Sequence, residues 1–322
     1  MDPEEKAGSG FPRLHLAGVA TLALLFFASA SVTAEFLVRN MAPAAAGEIA
    51  AAAASTDFFS DIQLVATSAY VFDTTTGETL YERNAGAQLP LASLTKIPLA
   101  LVVSEVLSQD SVITIPPHTP PDGGVKRFVD GSTWRVRDLM NFTLINSSNE
   151  GAELLAAAAD EGIRARYAEA PAGSAALWRM NALVRGLGLT HTYFLNVSGL
   201  DISTSQAGAY GSALEMAEVL AYASLRQPDL FAATTRGGML LLSEEGNRAT
   251  AKNTDKVLGE IHGLIMGKTG TTDLAGGNLA IAFDVGPAHP VVAVVLHSSD
   301  DGRFEDMMRL VAGVEKTVAE GR

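Results

Sequence analysis

Residues 93–107 read Ser93-Leu94-Thr95-Lys96-Ile97-Pro98-Leu99-Ala100-Leu101-Val102-Val103-Ser104-Glu105-Val106-Leu107. Leu94, Ile97, Leu101, Val102 and Val106 recur at helical spacing, which predicts a helix starting near Ser93. Its first turn carries a hydroxyl and an amine three residues apart, so Ser93 and Lys96 stack on one face within hydrogen-bond reach. A serine hydroxyl is a poor nucleophile until a base takes its proton. A lysine can be that base if its pKa falls from ~10.4 towards ~7–8, a change of about 4 kcal/mol that burial and a second nearby cation can supply. The helix N-terminus adds backbone donors where negative charge develops. Taken alone, Ser-x-x-Lys is a common pair, and an exposed serine and lysine is by far the commoner explanation of it. Pro98 removes the hydrogen bond to the Leu94 carbonyl and should distort the first turn.

Upstream, residues 69–73 and 78–82 read as two strands joined by the turn Thr74-Thr75-Thr76-Gly77. Downstream, residues 115–131, with four prolines and three glycines, read as a long surface loop. Residues 138–159 and 174–187 look helical, the second ending at Gly186 and Gly188. Residues 279–285 and 291–297 read as strands separated by Gly286-Pro287, and Phe304, Met308, Val311, Val314 and Val318 mark one face of a last helix. Strands at both ends and helices between them predict an α+β fold. Its sheet is formed by the two chain ends with flanking helices, beside an inserted all-helical lobe.

The chain has 322 residues, 48% of them hydrophobic and 18% charged, enough for a substantial core. Its formal charge is −13, and its 23 lysines and arginines gather into no basic run, which argues against a nucleic-acid or anionic-membrane partner. With no cysteine there is no disulfide framework, thiolate nucleophile or cysteine-ligated metal. The six histidines, His15, His118, His191, His262, His289 and His297, are scattered without a His-Glu-x-x-His pattern. They read as surface or packing residues, and neither a metal nor another cofactor is expected.

Residues 16–34 run nineteen positions without a charge, roughly 28 Å as a helix and close to a bilayer's apolar thickness. Residues 1–40 therefore read as a cytoplasmic tip and N-terminal membrane anchor. The alternative is a cleaved secretory signal ending near Ala28-Ser29-Ala30. Either way the remainder lies outside the cytoplasm, as a single-pass protein held on the lipid bilayer or as a secreted one. Residues 41–60 are an alanine-rich spacer, and residues 61–319 form the main domain.

Two further short motifs carry chemistry. In Ser147-Ser148-Asn149, between two predicted helices, a hydroxyl can relay a proton and an amide can hold a lysine or accept a substrate N–H. By itself it reads as a polar turn or helix cap. Lys268-Thr269-Gly270 enters the glycine-rich stretch Gly270-Thr271-Thr272-Asp273-Leu274-Ala275-Gly276-Gly277. There a lysine and a hydroxyl on a strand edge can bind a carboxylate, and glycine leaves room for a substrate backbone. By itself it is equally a tight turn. Each motif occurs once, and together, in this order, they form the set found in penicillin-binding proteins and class A β-lactamases.

The chain resembles the low-molecular-mass penicillin-binding proteins, the serine D-alanyl-D-alanine carboxypeptidases of peptidase family S11, related to class A β-lactamases. The likeness extends to residues 84–94 before the nucleophile, 133–139 before the second motif, and the block Asn196-Val197-Ser198-Gly199-Leu200-Asp201. It also includes Asn253-Thr254 and Ala275-Gly276 around the third motif. It implies a β-lactamase/transpeptidase-like fold with an antiparallel sheet and the active site in the cleft between the lobes. It implies that Ser93 is the nucleophile, Lys96 the general base and Ser147 the proton relay, with Asn149 orienting Lys96 and the substrate. Lys268, Thr269 and Gly270 would bind the substrate carboxylate, and the backbone N–H groups of Ser93 and Thr271 would form the oxyanion hole. The implied substrates are peptidoglycan D-Ala-D-Ala stem peptides, with β-lactams as covalent inhibitors of the same serine. Glu150 departs mildly from the family's usual aspartate. No counterpart of the C-terminal β-domain and terminal amphipathic helix of larger relatives is expected, and an N-terminal anchor, where it is retained, would replace that C-terminal tether.

Two other functions share parts of this pattern. A class A-like β-lactamase needs a Glu-x-x-Leu-Asn loop to activate water, and the matching stretch Phe194-Leu195-Asn196-Val197-Ser198 has no glutamate at that spacing. An inactive β-lactam or peptidoglycan sensor would not need the complete motif set.

Overall fold

The computed structural model describes residues 58–120 and 126–320. The expected N-terminal segment 1–40 and all but the last residues of the 41–60 spacer lie outside the described residues. Among the described residues no helix is long and apolar enough to cross a membrane.

In chain order, β1 (Ser68–Asp73), β2 (Thr79–Arg83) and β3 (Leu89–Pro90) lead into a 3-10 turn (Ala92–Thr95) and α1 (Lys96–Ser104). β4 (Val112–Thr114) and β5 (Thr133–Arg135) precede α2 (Val136–Ile145), α3 (Asn149–Arg166) and α4 (Ala175–Gly186). β6 (Tyr193–Phe194) and β7 (Ala209–Gly211) are followed by α5 (Ala213–Arg226) and the short α6 (Pro228–Phe231). β8 (Gly238–Leu242) and β9 (Arg248–Lys252) form a hairpin, after which come β10 (Leu264–Thr272), β11 (Gly276–Asp284), β12 (Pro290–Ser298) and α7 (Gly302–Ala319).

The main sheet has the order β10-β11-β12-β1-β2 with every neighbouring pair antiparallel, so the first strand lies beside the last. Ser68 faces Leu296 and Tyr70 faces Val294, as a sheet built from both chain ends requires. Because successive side chains on a strand point to opposite faces, one sheet can serve two cores. Val71, Ile281, Val291 and Val295 pack with Phe304, Met307 and Leu310 of α7. Tyr70, Ala282, Val292 and Val294 face the other core, with Met216 and Leu220 of α5 and the helices of the inserted lobe. Burial on both faces explains why β11 and β12 read as continuous apolar runs. Each fully buried valine or leucine there contributes about 1.5–3 kcal/mol relative to exposure.

The expected nucleophile helix differs in its start. Residues 92–95 form a 3-10 turn, and α-helical geometry begins only at Lys96. Pro98 therefore occupies the first turn of α1, where amides have no partner within the helix, and the missing N–H costs little. The expected helical stretch 138–159 is likewise two helices, broken at residues 146–148. Neither the β8–β9 hairpin nor α5 is among the expected elements. Ser212 caps α5 by accepting from the Glu215 amide, so the Ser-x-x-Glu spacing was the available signal.

One carboxylate ties the N-terminal lead-in to this sheet. Asp306 on α7 has no exposed surface and accepts from the Val65 amide at 2.9 Å, the Ala66 amide at 2.8 Å and Ser298 Oγ at 2.7 Å. Asp306→Ala leaves two backbone donors without their acceptor and should lower stability by about 3 kcal/mol. Urea unfolding should show that loss, and hydrogen exchange should show the Val65 and Ala66 amides exposed first. An unfolding midpoint unchanged from the parent would remove Asp306 from this role.

Candidate active site

The chain enters the site through β3, which pairs with β7, and the Leu91 amide continues that pairing onto the Ala209 carbonyl. Asn278 of β11 donates to the Pro90 carbonyl at 2.9 Å and fixes the same segment to the main sheet. Ala92 then takes φ +48°, a left-handed conformation costly for alanine, and turns Ser93 into the 3-10 turn. Gly199, at φ +82°, packs against this turn so closely that a Cβ would stand 1.9 Å from the Ala92 carbonyl oxygen, and only glycine fits.

Lys96 lies one turn later with no exposed surface. Its Nζ is 2.8 Å from Ser93 Oγ, 2.8 Å from Asn149 Oδ1 and 2.7 Å from the Ser198 carbonyl oxygen. Asn149 is the first residue of α3, behind an N-cap at Ser148, whose hydroxyl accepts the Gly151 amide at 3.0 Å. Ser147, at φ +55°, turns the chain out of α2, and its Oγ accepts from Lys268 Nζ at 2.7 Å. The second motif therefore joins the other two: Asn149 contacts Lys96 and Ser147 contacts Lys268.

Lys268 is 2% exposed, and its Nζ also donates to the Thr269 carbonyl at 2.7 Å. Burial, with the Lys96 and Arg303 charges, holds its ammonium well below the usual lysine range, against the opposite pull of Asp255. Thr269 Oγ1 shares a 2.5 Å hydrogen bond with Thr254 Oγ1. Gly270 lets β10 pass close to the nucleophile, since a Cβ there would lie 2.9 Å from the Leu91 carbonyl oxygen and 3.1 Å from the Ser93 nitrogen. Ser93, Lys96, Ser147, Asn149, Lys268, Thr269 and Gly270 are thus brought together, and Thr271 follows Gly270 on β10.

Two contributors, and one charged residue behind them, were not read from the sequence. The Ser198 carbonyl binds Lys96, although only the block containing it was recognised. Arg303, on α7 and 8% exposed, donates from Nη1 to the Gly270 carbonyl at 2.9 Å and to Thr271 Oγ1. Burial lowers its pKa, against the pull of Asp300, Asp255 and Asp301. Asp255 is buried behind β10. No short-range pattern marks either of these two charged residues.

The sequence matches the profile of Peptidase S11, described as D-alanyl-D-alanine carboxypeptidase, over residues 51–300. The chain belongs to the peptidase S11 family. Similar relatives include the D-alanyl-D-alanine carboxypeptidase DacF of Bacillus subtilis, 27% identical over 52% of this chain and 42% of that protein. A D-alanyl-D-alanine endopeptidase of Pseudomonas aeruginosa is 33% identical over 44% of this chain and 43% of its own length. The matches thus span less than half the length of these curated relatives. Among solved structures, penicillin-binding protein D2 of Listeria monocytogenes in its cefotaxime-bound form superposes with a TM-score of 0.66. It is 28% identical, over 79% of this chain and 98% of that one. The S11 chain therefore has the expected β-lactamase/transpeptidase-like α+β fold.

His118 and Glu150 do more than pack. Glu150, next to Asn149, is buried and accepts from the Arg127 amide at 2.9 Å, the Phe128 amide at 3.2 Å and His118 Nε2 at 2.7 Å. His118 Nδ1 lies 3.0 Å from Asp130 Oδ1. Burial pulls the His118 pKa down, but its bonds to Glu150, the Pro116 carbonyl and Asp130 outweigh this and raise it. A raised folded-state value stabilises fully below the unfolded pKa of about 6.5 and loses that contribution as pH rises through the folded value. His118→Gln should therefore lower the melting temperature more at pH 5.5 than at pH 9. An equal loss at both would show that His118 acts by packing alone.

Proposed function

We propose that this chain is a serine D-alanyl-D-alanine carboxypeptidase that removes the terminal D-alanine of peptidoglycan stem peptides through an acyl-enzyme on Ser93. The observation that carries this reading is that Lys96 Nζ lies within hydrogen-bond distance of Ser93 Oγ and of two carbonyl oxygens. A neutral amine has two N–H bonds and one lone pair. In the neutral form of Lys96 the carbonyl oxygens of Asn149 and Ser198 can accept its two N–H bonds, and its lone pair can then accept the proton of the Ser93 hydroxyl, whose oxygen is 2.8 Å away.

In this reading Ser93 Oγ attacks the penultimate D-alanine carbonyl carbon, and its proton passes to Lys96 Nζ. The Ser93 and Thr271 backbone N–H groups stabilise the oxyanion. When the tetrahedral adduct collapses, the C–N bond breaks and the leaving amine receives a proton through Ser147 Oγ, which Lys268 holds from the other side. Lys268 and Thr269 receive the substrate carboxylate, and Gly270 leaves space for its backbone. Water then attacks the ester carbonyl and gives a proton to Lys96, and as the acyl C–Oγ bond breaks that proton returns to Ser93 Oγ. A β-lactam acylates the same serine because its strained amide presents an equivalent carbonyl.

The name of the Pseudomonas relative supports endopeptidase action as a second reading, since cleaving a cross-link uses the same machinery. Mass spectrometry of products from pentapeptide and cross-linked muropeptides separates the two. For location, the nineteen uncharged residues 16–34 support a membrane tether with the catalytic domain outside the cytoplasm. Full-length protein should pellet with membranes, and a chain lacking residues 1–40 should not.

A fluorescent penicillin should label the protein covalently, and Ser93→Ala should abolish the label. Lys96→Arg should slow acylation about as much as Lys96→Ala, at least 100-fold or about 2.7 kcal/mol, because a guanidinium does not deprotonate at working pH. Stopped-flow acylation rates give the comparison. If Lys96→Arg keeps more than a tenth of the parent rate, Lys96 is not the base.

A further inference from the structure

Three basic side chains crowd this cleft. Lys96, Lys268 and Arg303 are all buried, and the ammonium of Lys268 is disfavoured by both of the others. The carboxylates of Asp300 and Asp301 influence Arg303 from the surface. Asp300 Oδ1 is 3.9 Å from Arg303 Nη1, and Asp301 is bound to Lys256 at 2.6 Å. The buried carboxylate on this side is Asp255, 5% exposed, between β9 and β10.

The local chain holds Asp255 in place. Its amide donates to Asn253 Oδ1 at 2.9 Å, and its Oδ1 accepts the Val257 amide at 3.0 Å. Among the described residues its Oδ2 has no hydrogen-bond partner, and neither does the buried Arg303 Nε. A Cβ on Gly267 would lie 3.2 Å from Asp255 Oδ2, so this oxygen rests against the backbone of the residue preceding Lys268. Burial raises the Asp255 carboxyl pKa, and the Val257 amide, then Arg303 and Lys268, offset part of that rise. A buried carboxyl oxygen without a hydrogen bond is costly, and a neutral residue would fill the space more cheaply. What Asp255 adds there is its charge.

Resting on the peptidase reading, we propose that Asp255 is a positioning residue for the carboxylate-binding end of the cleft. Its buried negative charge, acting through Lys268 and Arg303, lets these two stand as cations beside each other and beside Lys96. A ligand with a free carboxylate depends on that arrangement. A ligand whose carboxylate is blocked does not.

The test uses Asp255→Asn, which keeps the shape and removes the charge. Acylation rates with a penicillin and with its methyl ester are measured from pH 6 to 10. The alkaline limb for the free acid should move down by about one pH unit, about a tenfold loss at pH 9, while the rate at pH 6.5 and the ester's profile change less than about twofold. A uniform loss at every pH, or the same shift for acid and ester, overturns the proposal. Should the variant fail to melt cooperatively, calorimetric binding of acetyl-D-alanine to the unsubstituted protein decides. Affinity should persist above pH 8, and its loss at or below pH 7 overturns the proposal. Failure of the unsubstituted protein to react with penicillin at any pH would sink the peptidase reading alone, because the calorimetric profile still decides the role of Asp255.

Discussion

The structure is organised around one buried amine. Lys96 Nζ joins atoms from three parts of the chain: Ser93 in its own turn, Asn149 at the start of α3, and the Ser198 carbonyl in the segment between β6 and β7. Water cannot replace any of these contacts, since Lys96 has no exposed surface. An amine buried there without its acceptors would cost several kcal/mol, so the helical lobe and the nucleophile turn must come together for either to be stable. The break between α2 and α3, the cap at Ser148 and the close fit of Gly199 against Ala92 all serve that meeting.

The residues with chemistry in a short spacing were legible. Ser93 and Lys96 lie one helical turn apart, and Ser147 and Asn149 flank a cap, so each pair's geometry follows from local structure. The sheet was legible at its ends because β1, β11 and β12 are buried on both faces and read as unbroken apolar runs. β9 was not, since its inward positions are the alanines Ala249 and Ala251, which carry too little hydrophobic contrast to mark a period of two. Arg303 and Asp255 escaped for another reason. Beside Asp300 and Asp301, Arg303 reads as part of a solvated charge run, and Asn253-Thr254-Asp255 reads as a polar turn. Their burial follows from how α7 and the segment before β10 pack behind the third motif, which no local spacing encodes.

Backbone strain is placed where the chemistry is. Ala92 and Ser147 both take positive φ, and each stands at or beside a motif residue at a break before a helix. Such a conformation costs about 1–3 kcal/mol and persists only where the surroundings over-determine it. They do so here. The Thr95 hydroxyl donates to the Ala92 carbonyl at 2.7 Å, and the segment before Ala92 is held by Asn278 and by pairing with β7. On the other wall the Ser148 amide returns to the Thr143 carbonyl at 3.1 Å, while Lys268 holds the Ser147 hydroxyl. A relaxed backbone at either site would turn its serine away from its lysine. The buried lysines and the strained turns are therefore one constraint: each lysine fixes the serine that its turn presents, and the two-faced sheet beneath them supplies the rigidity that both require.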